Sequence, residues 1–332
     1  MLEPTLREVL RAHERILPFI RRTPIFSSRT VDRLTGLTVH FKTENFQKTG
    51  SFKARGALNG ILTLLERKPT IKGVVTHSTG NHGLALAWAA QQIKLPCSVV
   101  VPCNTPAVKV EAVKAYGANV QLCQIDIQDR HTLCEKIADE KQFEIIAPFD
   151  NVDVIAGQGT IGIELMQQVP ELEAVIVPVG GGGLAAGISL ATKLVSPKTK
   201  VYMVEPLGKE LGKSMKAGRR MWEGPPARVN TIADSIARQQ LGEITWPIVL
   251  KYAENDVLSV TDQEIIEGMK FAFQTMKVVI ESASATGLTA LLQHKFQHLH
   301  TSAQNVGVIL CGGNVDLDQL PWQTNLSSNK ET

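Results

Sequence analysis

The stretch "TENFQKTGSFKARGALNG" (Thr43–Gly60) places Lys53 just after a glycine-serine turn and at the start of a helix-like run. With Ser51 read as the N-cap, Lys53 falls in the first helical turn, where the positive end of the helix dipole and partial burial both disfavour an ammonium. The expectation is a lowered pKa and a neutral amine able to form a Schiff base. The plainer alternative is a solvated charge, which is also how the neighbouring Lys48 and Arg55 read.

Three further loops carry chemistry. In "AVIVPVGGGGLAAGISLATKLV", Gly180, Gly181, Gly182 and Gly183 lie between a strand pattern and a helix pattern. Residues without Cβ at a helix start expose backbone N–H groups where the dipole favours a phosphate. The spacing is not the dinucleotide GxGxxG, since the next glycine is Gly187, and a turn needing only close helix packing is the alternative. In "THSTGNHG", Ser78, Thr79, Asn81 and His82 gather small donors around Gly80 and Gly83, enough to wrap a carboxylate; an N-cap is the competing reading. In "VILCGGN", Cys311 ends a strand pattern beside Gly312 and Gly313, as a buried core residue or a ligand contact.

These loops need elements to hold them. Strand patterns at 37–44, 73–78, 97–102, 118–123, 143–148, 174–179, 200–206, 256–261 and 306–311 alternate with helix-period segments, which predicts parallel sheets flanked by helices. In such sheets ligands collect at the carboxyl ends of strands, where these loops fall. No linker marks a boundary, so two lobes would be built from interleaved segments. The 332 residues are 43% hydrophobic and 20% charged with a net charge of +3, too little and too dispersed for a nucleic-acid partner. The five cysteines show no CxxC spacing, pointing to a reducing compartment, and the N-terminus lacks the apolar core of a signal peptide or membrane span; the cytosol is the expected location.

A phosphate cradle, a carboxylate cradle and a Schiff-base lysine together are what pyridoxal phosphate and an amino acid require. The chain resembles the fold type II pyridoxal-phosphate enzymes, specifically the threonine/serine dehydratase and serine racemase group. The resemblance runs through RRTPIFSS, NFQKTGSFKARGA, THSTGNHG, PFDNVDVIAGQGTIGIEL, PVGGGGLAAGI, NTIADS and LCGGNVDL. It implies a tryptophan synthase β-like fold: a large cofactor-binding domain of 1–72 and 148–332 and a small domain of 73–147. It implies that Lys53 carries the cofactor imine with Phe52 packed nearby. Asn81 would bond the ring's 3′-oxygen, Gly180 to Gly183 with Leu184 would hold the phosphate, and Cys311 would face the pyridine nitrogen. Ser78, Thr79, Asn81, His82 and Arg130 would receive the substrate, and a homodimer is expected.

The implied reaction is loss of the β-hydroxyl of L-threonine, L-serine or a related 3-hydroxy amino acid, giving a 2-keto acid and ammonia. Racemisation is the rival. Serine racemases place a serine acid/base where Thr79 stands; the resemblance makes Thr79 the second catalytic residue, able to transfer a proton through its hydroxyl, while its methyl restricts χ1 and makes racemisation less assured. PFDNVDVIAGQGT is similar to the dehydratases, whereas aspartate-type racemases tend to show serines at Phe149, Asp150 and Asn151. Ser235 replaces a glycine of the family's IADG, and STGNHG with ADS is similar to the dehydratases of hydroxyectoine utilisation. A β-replacing synthase usually reads SGNTG, and a catalytically silent binding protein is the reading from another class. Racemase-like members hold a divalent cation for which Glu205 is one ligand, but Leu211 stands where an aspartate is expected and leucine cannot bind magnesium. A requirement for a divalent or monovalent cation is therefore left open. The chain ends soon after the GGN loop, so the regulatory domain of biosynthetic threonine dehydratases is expected to be absent.

Overall fold

The computed structural model describes residues 3–78, 80–124, 127–222, 224 and 227–323, the side chains of 127 and 128 excepted. The strands are β1 (Ile25–Phe26), β2 (Thr38–Thr43), β3 (Val74–His77), β4 (Cys97–Pro102), β5 (Asn119–Cys123), β6 (Glu144–Ile145), β7 (Ala174–Pro178), β8 (Lys200–Pro206), β9 (Val257–Val260) and β10 (Asn305–Leu310). The helices are α1 (Leu6–Ile16), α2 (Arg29–Thr35), α3 (Lys53–Arg67), α4 (Asn81–Gln92), α5 (Ala107–Ala115), α6 (Ile127–Lys141), α7 (Val152–Gln168), α8 (Gly183–Val195), α9 (Leu211–Ala217), α10 (Thr245–Tyr252), α11 (Asp262–Phe271) and α12 (Ser282–Leu292). All nine strand patterns read from the sequence are present; β1, two residues paired antiparallel to β2, is too short to leave a periodic signal.

Two sheets result. A six-stranded sheet has the order β1-β2-β10-β7-β8-β9, parallel apart from β1, and a four-stranded parallel sheet has the order β5-β4-β3-β6. The smaller sheet is contiguous in sequence and inserted between β2 and β7 of the larger one.

Alternation along the strands explains why both faces are covered. Val175, Val177, Val201, Met203 and Ile309 pack with α1, α7, α8 and α10, while Ala174, Ile176, Tyr202, Val204, Val308 and Leu310 pack with α2, α11 and α12. In the smaller sheet Val74, Val99 and Val101 join α3 and α4, and Val75 and Val100 join α6.

α3 belongs to both halves, and its placement decides where Lys53 points. Its apolar side, with Ala54, Ala57, Leu58 and Ile61, enters the core of the smaller sheet. Its other side lies against α7 so closely that a Cβ on Gly157 would stand 2.7 Å from the Arg55 carbonyl oxygen. Arg55 is fully buried, not a solvated charge. It donates to Glu44 from Nε and Nη2, both at 2.8 Å, and to Glu164 from Nη1 (2.7 Å) and Nη2 (2.9 Å), while Lys42 donates to Glu164 at 2.6 Å. This buried network clamps the first turn of α3 to α7 and to the turn after β2.

Candidate active site

Lys53 is the first residue of α3, but Ser51 is not the cap. Ser51 is extended and forms an antiparallel bridge with Gly312, and Phe52, which donates its N–H to the Cys311 carbonyl at 3.0 Å, occupies the N-cap position without a side-chain bond. Pairing to the segment after β10 thus takes Ser51 out of reach, and it fixes Lys53 beside Cys311. The Lys53 Nζ donates to the Pro148 carbonyl at 2.6 Å. Burial lowers its pKa to about 8, against the pull of Cys311 and Glu281.

Lys53 opens into a cavity of about 200 Å³ at the carboxyl ends of β3, β7 and β10, lined also by Phe52, Ser78, Gly80, Asn81, His82, Arg130, Gly180 to Gly183, Leu184 and Cys311. The described site residues expected from the sequence therefore converge, apart from Glu205. Thr79 lies outside the described residues.

The glycine loop follows β7 and leads into α8, whose first-turn N–H groups have no intrahelical acceptor. Gly182 is left-handed at φ +97°, and a Cβ on Gly181 would sit 2.6 Å from the Phe149 ring. The backbone is thus bare on the cavity side, a fit for the phosphate of pyridoxal phosphate. Lys53 fits its aldehyde. Cys311 fits its ring nitrogen as a neutral group: burial, reinforced by Glu281, pushes the thiol well above its usual range.

The N-cap of α4 is Gly80, which has no side chain to cap the helix. Ser78 Oγ accepts from Gly80 N at 3.3 Å. His82 turns its Nε2 to the Ile146 carbonyl at 3.1 Å, and burial pushes its pKa down to about 3, so the ring is neutral with Nε2 as donor. That leaves the backbone N–H of His82, not its ring, as a donor for a carboxylate. Asn81 donates Nδ2 to both oxygens of Glu281 at 3.0 Å and accepts at Oδ1 from Asn314 at 2.9 Å.

Glu281 is a site residue that sequence reasoning missed. It also accepts from Ser235 Oγ at 3.0 Å, and burial raises its pKa. A lone glutamate before a helix pattern carries no spacing signal, and only the tertiary approach of Asn81 and Ser235 reveals it. Arg228, Asp234 and Arg238 line the cavity as well. Arg228 is paired with Asp234. The Arg238 guanidinium lies 5.1 Å from the Phe149 ring centre, and its Nε is buried without a hydrogen-bond partner among the described residues. Burial, and then the charges of His131, Arg130 and Arg238, together bring His77 down to about 4, so the two arginines converge on one end of the cavity.

Glu205 is buried away from this cavity, its oxygens accepting from Leu211 N (2.9 Å) and Ser259 Oγ (3.1 Å). Among the described residues no group of His, Cys, Asp and Glu side chains is arranged to hold a metal ion. One carboxylate beside an aliphatic Leu211 does not fit a divalent cation.

Residues 16–312 match the family described as "Pyridoxal-phosphate dependent enzyme". The chain is 42% identical over 321 residues to a serine racemase of Dictyostelium discoideum, covering 96% of this chain and 98% of the relative. It is 39% identical over 318 residues to an L-threo-3-hydroxyaspartate ammonia-lyase of Saccharomyces cerevisiae, covering 96% and 95%. The crystal structure of a pyridoxal 5′-phosphate-dependent aspartate racemase superposes with a TM-score of 0.94 at 47% identity, covering 97% of this chain and 99% of the other. With this site at the strand ends and this likeness along its length, the chain belongs to the fold type II pyridoxal-phosphate-dependent enzymes, in the group of serine racemases and hydroxy-amino-acid dehydratases.

Proposed function

We propose that this protein is a lyase that deaminates a 3-hydroxy amino acid to a 2-keto acid and ammonia, with Lys53 as the base at Cα. The observation that carries the reading is the position of the Lys53 amine: one cavity holds it, the bare N-terminus of α8 and the α4 loop. Pyridoxal phosphate, when bound, supplies the electrophilic carbon and the electron sink that makes the Cα proton removable. The chain supplies the rest. The Pro148 carbonyl orients the amine, and with a pKa of about 8 roughly a quarter of it is neutral at pH 7.5. The N-terminus of α8 holds phosphate, and backbone N–H groups of the α4 loop orient the substrate carboxylate. Loss of hydroxide with that proton releases water, and water is taken up again when ammonia leaves, so the net change is amino acid to keto acid plus ammonia.

Two observations refine the choice. Where aspartate-type racemases tend to carry serines, Asp150 accepts from the N–H groups of Glu243, Ile244 and Thr245, and Asn151 caps α7; these residues hold the scaffold and offer no second hydroxyl acid, which favours elimination. Arg238, which lines the same cavity as Arg130, favours a substrate with a second carboxylate, in line with the hydroxyaspartate ammonia-lyase among the relatives. Arg238→Gln should raise KM for 3-hydroxyaspartate about 10–100-fold, the worth of one bond to a charged group, and leave L-serine unchanged. Equal effects on both substrates would remove the dicarboxylate reading.

Racemisation of serine or aspartate is the second reading, favoured by the 47% identity to the aspartate racemase. Ammonia, keto-acid and chiral assays on L- and D-3-hydroxy amino acids and on aspartate separate the two. D-isomer formed as fast as keto acid would sink the pure lyase, and activity confined to the hydroxyectoine-derived amino acid would assign the specialised dehydratase. On the two sheets we also propose the domains 1–72 with 148–332 and 73–147. A homodimer is proposed from the resemblance, to be checked by light scattering. Among the described residues no helix is long and apolar enough to cross a membrane; residence in the cytosol is proposed, with cell fractionation as its check.

A further inference from the structure

Lys209 takes no part in the chemistry above, yet it is one of the largest side chains fully shut off from solvent. It follows β8 in a turn through Gly208 (φ +94°) and precedes α9. Its Nζ donates to two backbone carbonyls, that of Arg238 and, at 3.0 Å, that of Gln239. Burial lowers the pKa of the amine, and Glu205, the opposing charge, works with the two carbonyl acceptors to keep the proton on it. Glu205 is itself buried and held by Leu211 N and Ser259 Oγ.

A carboxylate and two carbonyls gathered out of water make a site for a cation, and here the nearby positive group is part of the chain. The divalent cation that racemase-like members hold would lack its second carboxylate here, because Leu211 is aliphatic, while the Lys209 amine reaches the carbonyl oxygens. We propose that Lys209 is a resident cation that takes the place of a metal ion and positions the 227–239 hairpin forming one wall of the active site.

The hairpin is closed by Val229 N to Ala237 O (2.7 Å) and Gln239 N to Ala227 O (3.0 Å). It carries Arg228, Ser235, Ile236 and Arg238 into the cavity, and Ser235 reaches on to Glu281. Without the amine, two carbonyls lose their donor inside the protein and Glu205 loses its counter-charge, so the hairpin is released from β8. Lys209 is thus a positioning residue that touches neither cofactor nor substrate.

The test uses melting of the apoenzyme alongside steady-state kinetics of the holoenzyme. For the wild type, EDTA and millimolar MgCl2 or CaCl2 should leave Tm and kcat/KM unchanged. Lys209→Met should lower the apoenzyme Tm by on the order of 5 °C and raise KM at least tenfold, with kcat changed far less. Lys209→Ala combined with Leu211→Asp should rebuild a metal site, so that MgCl2 or CaCl2 raises its Tm and lowers its KM and EDTA reverses both. A wild type that loses Tm or activity in EDTA and recovers with MgCl2 would overturn the proposal, whatever the variants do. So would Lys209→Met with wild-type Tm and KM. If Lys209→Met is insoluble, Lys209→Arg, which keeps the charge, should fold and stay indifferent to EDTA; a metal-dependent Lys209→Arg would also count against it.

Discussion

Replacing Arg55 with methionine removes the guanidinium that holds Glu44 and Glu164 together under α3. Four hydrogen bonds of 2.7–2.9 Å to carboxylates go, with a further one of 3.1 Å to Thr160 Oγ1. Glu164 keeps Lys42 as a hydrogen-bonded partner, whereas among the described residues Glu44 keeps the side-chain bond from Thr23 Oγ1 at 2.6 Å and the through-space attraction of Lys42, so Glu44 is left as a buried charge without a bonded cation. Breaking a buried pair from one side costs about 3–5 kcal/mol, which in a chain of this size lowers Tm by roughly 5–10 °C. Thermal melting of the holoenzyme at pH 7.5 measures it. The pH dependence supplies a second check. Burial raises the Glu164 pKa, but the bonds from Arg55 and Lys42 more than offset this and hold it below the usual carboxylate range. A carboxyl with a lowered folded pKa contributes stability that is full above about pH 4.5 and is lost as pH falls through the folded value. Protonation also relieves the uncompensated charge of the variant. The Tm gap between wild type and Arg55→Met should therefore narrow steadily from pH 7.5 toward pH 4. Adding Glu44→Gln to the variant should recover about half of the loss. A gap under about 1 kcal/mol, or one that widens on acidification, would refute the claim that this network clamps the lysine-bearing helix.

Two other outcomes follow from the same geometry. A Cβ on Gly183 would meet Cβ, Cα and O of Phe149 at 2.9, 3.0 and 3.1 Å, mostly backbone that cannot give way; Gly183→Ala should cost about 1–3 kcal/mol of cofactor binding, or ~5–150-fold in Kd, read by pyridoxal phosphate titration of the apoenzyme. With Lys53 at about 8, the neutral amine increases as pH rises. The rate of pyridoxal phosphate uptake by the apoenzyme, followed by absorbance, should therefore grow roughly 20-fold between pH 6.5 and 8.5; a flat profile would contradict a buried, proton-poor amine.

What could be read from the chain and what could not divides along physical lines. The alternation of β-branched runs with helix-period segments marked β2 to β10, most clearly β4, β7, β8 and β10, where burial on both faces leaves nearly continuous apolar strands. β1, two residues long, has no period to detect. The convergence of Lys53, Gly180 to Gly183, Ser78, Asn81 and His82 on one cavity was legible because helix starts and the loops before them are local in sequence. Groups that act through long-range approach were not. The cap expected at Ser51 was lost to pairing with Gly312, and Arg55 looked like any charged residue until Glu44 and Glu164 closed on it from 11 and 109 positions away. Glu281 reaches Asn81 across 200 positions, and nothing in its neighbours announces this. The same holds for Arg238 and Lys209, each set by the fold of one hairpin against β8.

We propose that Lys53 holds the cofactor, and chemical trapping tests this most directly. Purified holoenzyme is reduced with borohydride, digested and mapped, beside Lys53→Ala assayed for keto acid and ammonia. The account predicts one pyridoxyl-modified peptide, carrying the label at Lys53, and a variant that folds but forms no keto acid above background. A label on another lysine, or unchanged keto-acid formation by Lys53→Ala, would contradict it.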